Sequence, residues 1–106
     1  MTKMKGLVLA VSAVFSLGVM GTAAAEDGAA LFKSKTCFSC HGQDAKTPIM
    51  PTYPKLAGQN AQYLYNQMMD IKSGARNNGQ TAAMKGIMAM VTPEEAKAIA
   101  DWLSTQ

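Results

Sequence analysis

Histidine and tryptophan each occur once in this 106-residue sequence and cysteine twice, and each scarcity closes a class of chemistry. Structural zinc wants four tetrahedral ligands, and two thiols with one imidazole fall short of that set. A disulfide framework is excluded as well. Cys37 and Cys40 stand three positions apart, so a bond between them closes a tiny loop and constrains little. Strand-like alternation of any length is missing, as are internal repeats and low-complexity tracts, which leaves an all-α architecture. Charge is sparse too, with ten basic against seven acidic side chains, and aromatics make up only 7%. A nucleic-acid binder needs a dense basic face and, for single strands, interleaved aromatics to stack on, so no nucleic-acid partner is expected.

What is present begins with a leader. Lys3 and Lys5 precede an apolar run from Leu7 to Gly21, and small residues at Ala23 and Ala25 precede Glu26-Asp27. That order predicts a secretory signal peptide over 1–25, cleaved near Ala25, with one folded, exported domain over 26–106 and no membrane span after cleavage. An uncleaved anchor is the alternative. Removing 25 of the 106 residues leaves 81, and losing Lys3 and Lys5 leaves eight basic and seven acidic side chains, a net charge of +1. A chain of that size builds a marginal hydrophobic core, so a staple is expected, and a large apolar cofactor serves better than a three-residue disulfide.

Helical spacing recurs in three stretches. The first runs from about Asp27, a plausible N-cap, to Thr36 and delivers the cysteines. A proline-bearing segment from Gly42 to Gly58 is too broken for regular structure, and in so small a domain a loop of that length usually wraps something. The second helix spans roughly Asn60 to Lys72, with Gly74 as its stop. Ala75 to Met90, interrupted by Gly79 and Gly86, reads as a loop. The last helix opens on Thr92-Pro93-Glu94-Glu95, a capping threonine, a proline at the first helical position and a glutamate at the third, and buries Ala96, Ile99, Ala100 and Leu103.

The chemistry sits in Cys37-Phe38-Ser39-Cys40-His41, the C-x-x-C-H pattern of covalent c-type haem attachment. Two thiols at i and i+3 on a helix point the same way, so both can add to the vinyl groups on one edge of a porphyrin, while the next residue's imidazole lies under the iron. A thiol–disulfide motif is the competing reading, and it lacks the strand–helix context of that chemistry. A second axial ligand can come from the methionine-rich stretch after the second helix, where Met84, Met88 and Met90 are all eligible. Met68 and Met69 sit mid-helix, and Met50 lies nine residues past His41. With the single histidine on iron, no distal imidazole remains for acid–base work, so electron transfer is expected rather than peroxidase chemistry.

The ordered series resembles the class I monohaem cytochromes c, and within them the small bacterial periplasmic branch that includes each half of the dihaem cytochromes. It runs from Gly28-Ala29-Ala30-Leu31-Phe32 through Cys37 to Gly42, Tyr53-Pro54-Lys55-Leu56-Ala57-Gly58-Gln59, Gln62-Tyr63-Leu64 and Lys72-Ser73-Gly74-Ala75-Arg76. It closes on Thr92-Pro93-Glu94-Glu95 and Ala100-Asp101-Trp102-Leu103. Pro93, Ala96 and Trp102 depart from the commoner family residues. The resemblance implies a small cytochrome c fold of three to four helices with long loops around one covalent haem c, and a crossing of the first and last helices at Gly28, Phe32 and Trp102. It also implies a carbonyl from Pro54, with Pro51 as the alternative, on the other ring nitrogen of His41. By family register the second axial ligand is Met84, eight positions before the capping Thr92. The implied role is a carrier of single electrons between redox proteins of the respiratory chain or periplasm; the alternative is the haem-bearing subunit of a larger exported oxidoreductase.

Overall fold

In the computed structural model residues 27–106 are described, so the leader expected over residues 1–25 lies outside them. Five helices follow one another: α1 (Gly28–Ser34), α2 (Phe38–His41), α3 (Ala61–Ser73), α4 (Thr81–Met88) and α5 (Pro93–Ser104). No β-strand occurs among the described residues.

Helices α1, α3 and α5 each start where a capping side chain sits. Asp27 accepts from the backbone N–H of Ala29 at 3.0 Å to open α1, and Asn60 accepts from Tyr63 at 2.9 Å to open α3. Thr92 and Glu95 close a reciprocal box at the start of α5, with Pro93 at its first position. Gly74, at φ 92°, ends α3 in the left-handed conformation that glycine adopts without penalty. α5 is the central element, with Ala96, Ile99, Ala100 and Leu103 all buried, and α1 and α3 pack on it while α4 packs on α3.

The α1–α5 crossing is set by Gly28, where a Cβ would overlap the carbonyl oxygen of Ala98 and the Cβ of Trp102. Phe32 fills the space beside it, its ring centroid 5.2 Å from that of Trp102 and tilted by 49°.

Three boundaries differ from the sequence reading. The first helix stops at Ser34 rather than Thr36, because Thr36 takes a positive φ of 64°, and the two cysteines then fall on a separate one-turn helix, α2, Cys37 as its N-cap and Cys40 within it. Residues 81–88, expected to be loop, form α4. Gly79 does break the chain at φ 56°, but Gly86 sits inside the helix where a Cβ would meet nothing, and Ala82, Ala83, Met84 and Lys85 all favour helix. Helix α4 is too short to persist alone and is held by burial of Thr81 and Met88. With α2 and α4 added, the count rises from the expected three to four helices to five, within the same all-α fold.

The irregular segment between α2 and α3 is pinned rather than loose. Asp44 accepts from the N–H groups of Lys46 and Thr47 at 2.8 and 3.0 Å, which fixes the first turn and holds the Asp44 carboxyl below its usual range. The carbonyl of the fully buried Ala45 accepts from Leu56 at 2.9 Å, and Gly58 donates to Leu103 at 2.9 Å, so the segment is laid back across the end of α5.

Candidate functional site

Between these elements lies a cavity of about 290 Å³ whose walls are mostly apolar. The loop around Tyr53 and Pro54, the inner faces of α3 and α4, and Ile99 and Leu103 of α5 enclose it. The three chemistry-bearing residues at α2, its N-cap Cys37 together with Cys40 and His41, all line it. The one-turn helix explains the convergence. The Cys37 carbonyl accepts from Cys40 at 3.3 Å and from His41 at 3.1 Å, which brings the two thiols to one side and turns the imidazole inward.

His41 is only 6% exposed, and its Nδ1 stands 3.1 Å from the carbonyl oxygen of Pro54. Of the two prolines considered, Pro54 is the one that reaches the ring. A carbonyl accepts but never donates, so Nδ1 carries the proton and Nε2 presents its lone pair to the cavity. Burial pushes the His41 pKa down, with the Pro54 contact partly opposing it, so the ring is neutral at neutral pH and competent as a metal ligand. Burial likewise raises the Cys37 thiol from 9.0 to about 11, which keeps it protonated and slow to oxidise. Cys37 and Cys40 are not joined to each other in a disulfide.

The methionines separate by position. Met84 and Met88 line the cavity, as does Met68 from α3, whereas Met90 is 63% exposed and Met50 is exposed, and neither reaches it. Met88 is 2% exposed and packed in the core, while Met84 is half-buried one turn earlier on α4.

Arg76 was missed by the sequence reading as a site residue. Its guanidinium donates to Gln67 Oε1 at 3.1 Å, and among the described residues it is the one lysine or arginine that lines the cavity. Its place in Lys-Ser-Gly-Ala-Arg, just past the α3 stop, was the available clue.

Among the described residues no group of three His, Cys, Asp or Glu side chains is placed to hold a bare metal ion. What is assembled instead is a buried neutral imidazole, two thiols on one helical turn and thioethers, all bordering one apolar space, and that donor set fits a haem with its iron.

Comparison with known proteins agrees with this geometry. A family model described as cytochrome c matches residues 25–106. A cytochrome c4 of Pseudomonas aeruginosa is 38% identical over 100 residues, covering 92% of this chain and 48% of that protein. A cytochrome c-553 of Nitratidesulfovibrio vulgaris is 34% identical over 98 residues, covering 92% of this chain and 93% of that one. A protein of Stutzerimonas stutzeri named thiosulfate dehydrogenase electron acceptor is 41% identical over 64 residues, covering 60% of this chain and 28% of its own length. The chain thus spans about half the length of the cytochrome c4 relatives it matches. It belongs to the cytochrome c family, and its cofactor is covalently bound haem c, for which Cys37 and Cys40 fit the one Cys-x-x-Cys-His attachment site.

Proposed function

We propose that this protein is a periplasmic carrier of single electrons, with the haem held by Cys37 and Cys40 and its iron held between His41 Nε2 and the Met84 sulfur. The observation that carries the reading is the shared cavity, into which the thiol pair, the carbonyl-oriented imidazole and the Met84 thioether all face. Bound haem iron supplies a reversible one-electron couple, whose potential a methionine ligand raises above that of a second histidine. The chain's part is to hold that couple still. Pro54 fixes the His41 ring and strengthens it as a donor, the apolar walls keep water off the site, and a Met84 thioether on the iron would leave no open position for a substrate. Among the described residues the lining carries no carboxylate and no second imidazole, so it offers little for acid–base catalysis and favours transfer over turnover.

Export as a 1–25 leader with a 26–106 domain is part of the same proposal and is supported by the lysine, apolar and small-residue order of the amino terminus. No helix of the described residues is long and apolar enough to cross a membrane. Partners on this reading are redox proteins of the respiratory chain or periplasm. A second reading, a haem subunit bound to a larger oxidoreductase, is favoured by the electron-acceptor name of the Stutzerimonas relative. Size-exclusion of native extract separates the two by apparent mass.

Met84→Ala tests the axial assignment directly. The variant should lose low-spin character, drop in reduction potential and bind small exogenous ligands, and unchanged spectra in Met84→Ala with loss in Met88→Ala would reassign the ligand by one turn.

A further inference from the structure

The turn that joins α4 to α5 is fastened by two lysines that do not enter the cavity. Lys72, on the last turn of α3, donates from Nζ to the carbonyl oxygens of Met88 at 2.8 Å and Val91 at 2.7 Å. Lys35, the C-cap of α1, donates to the Met90 carbonyl at 2.9 Å and stands 3.5 Å from Glu95 Oε1. Three carbonyls within four residues are therefore held by cations from two different helices.

Lys72 is the stronger of the two holds. Met88 and Val91 are both buried, so their carbonyls have little recourse to water, and Lys72 itself is half-buried. The carboxyl end of a helix carries the negative end of its dipole, and there the Met88 carbonyl, which also accepts from the Val91 N–H at 3.1 Å, takes a second, charged bond from the Lys72 ammonium. Lys35 by contrast reaches an exposed carbonyl and is shared with Glu95. The segment gripped by Lys72 begins at Met88, one turn after Met84 on the same short helix. Since α4 cannot persist by itself, whatever anchors its carboxyl end also limits how far its cavity-facing side chains can withdraw.

We propose that Lys72 is a positioning residue for Met84: its grip on two carbonyls of the α4–α5 turn holds the methionine-bearing helix against the cavity and sets how firmly the thioether stays on the iron. This rests on Met84 being the axial ligand. Lys72 acts only through backbone, touching neither cofactor nor ligand.

Imidazole titration of the ferric holoprotein, followed by absorption, tests it in the parent, Lys72→Met, Met84→Ala and the double variant, with Asn60→Ala as control. Loss of charge-assisted hydrogen bonds of this kind shifts an equilibrium by on the order of tenfold. Lys72→Met should therefore bind imidazole on the order of tenfold more tightly than the parent, and should add nothing in the Met84→Ala background. Asn60→Ala removes the N-cap of the same helix without touching the turn, so it should lower stability and leave imidazole affinity unchanged. An equal gain in Asn60→Ala would overturn the proposal, because general loosening would then suffice. Parent-like affinity in Lys72→Met beside a large gain in Met84→Ala would also overturn it while leaving the axial assignment intact. No gain in Met84→Ala would mean that the axial assignment itself fails, and the proposal with it. Should Lys72→Met not accumulate as holoprotein, Lys72→Gln carries the same comparison, with a smaller gain expected and parent-like affinity overturning the proposal.

Discussion

At the scale of single residues, neighbours decide what each reactive group can do. The imidazole of His41 is an ordinary weak base made into an oriented neutral donor by one backbone carbonyl and by burial. Gly28 plays the opposite part, since its use lies in what it lacks. Gly28→Ala would drive a methyl into the Ala98 carbonyl and the Trp102 Cβ, forcing α1 off α5. It should cost about 1–3 kcal/mol, the usual range for overpacking. The check is a lower denaturant midpoint with an unchanged slope, and a parent-like midpoint would show that the crossing relaxes freely. Residues of this kind were legible to different degrees. Cys37, Cys40 and His41 stand out from spacing alone, because three chemically distinctive side chains fall within five positions. Gly28, Pro54 and Met84 needed the family resemblance, because a glycine, a proline or a methionine has too many other uses for its position to speak. Lys72 was not legible as an anchor at all, since its two acceptors are backbone atoms 16 and 19 positions away.

At the scale of elements, caps and stops proved more informative than periodicity. The α5 start was readable to the residue because Thr92, Pro93 and Glu95 each supply a separate part of one box. That box has a pH signature. Glu95 is held below its ordinary 4.5, first by the Thr92 N–H it accepts and then by Lys35. A carboxylate whose folded pKa is depressed contributes stability that is complete above its unfolded value and is lost as pH falls through the folded one. Glu95→Gln should therefore be less stable than the parent at neutral pH, with the gap closing on acidification. Denaturant midpoints of both proteins between about pH 7 and about pH 3 measure this, and a constant gap would mean that the carboxylate charge is not what the box uses. What the sequence concealed were breaks without glycine and glycine without a break. Thr36 ends α1 at a positive φ that its residue type disfavours, whereas Gly86 passes through α4 because nothing there requires a side chain. Both are settled by tertiary packing, which local pattern does not carry.

At the scale of the whole molecule, core and cofactor site coincide. Among the described residues, seven of the eleven buried apolar side chains also line the cavity, Phe32, Leu64, Ile71 and Ile99 among them, so most of the interior is organised around the space the haem fills. Helices α3, α4 and α5 meet across it. Without an occupant those side chains face one another over a gap that the short connections cannot close, and a domain of about 80 residues has little other core to spare. A ligand bound only by the native state stabilises that state by mass action, and covalent attachment removes the concentration dependence by preventing escape. Folding and haem attachment should therefore be one event. The Cys37→Ala, Cys40→Ala double variant, produced without covalent haem, is expected to lack a cooperative thermal transition and to show weak, broad near-ultraviolet dichroism from Trp102, since its partner Phe32 borders the unfilled space. Adding free haem should restore part of the transition in proportion to haem concentration, because His41 and the apolar walls remain. A double variant that unfolds cooperatively with no haem present would show that the Gly28 crossing and the α5 core suffice alone, and that the cofactor is cargo in a scaffold already folded.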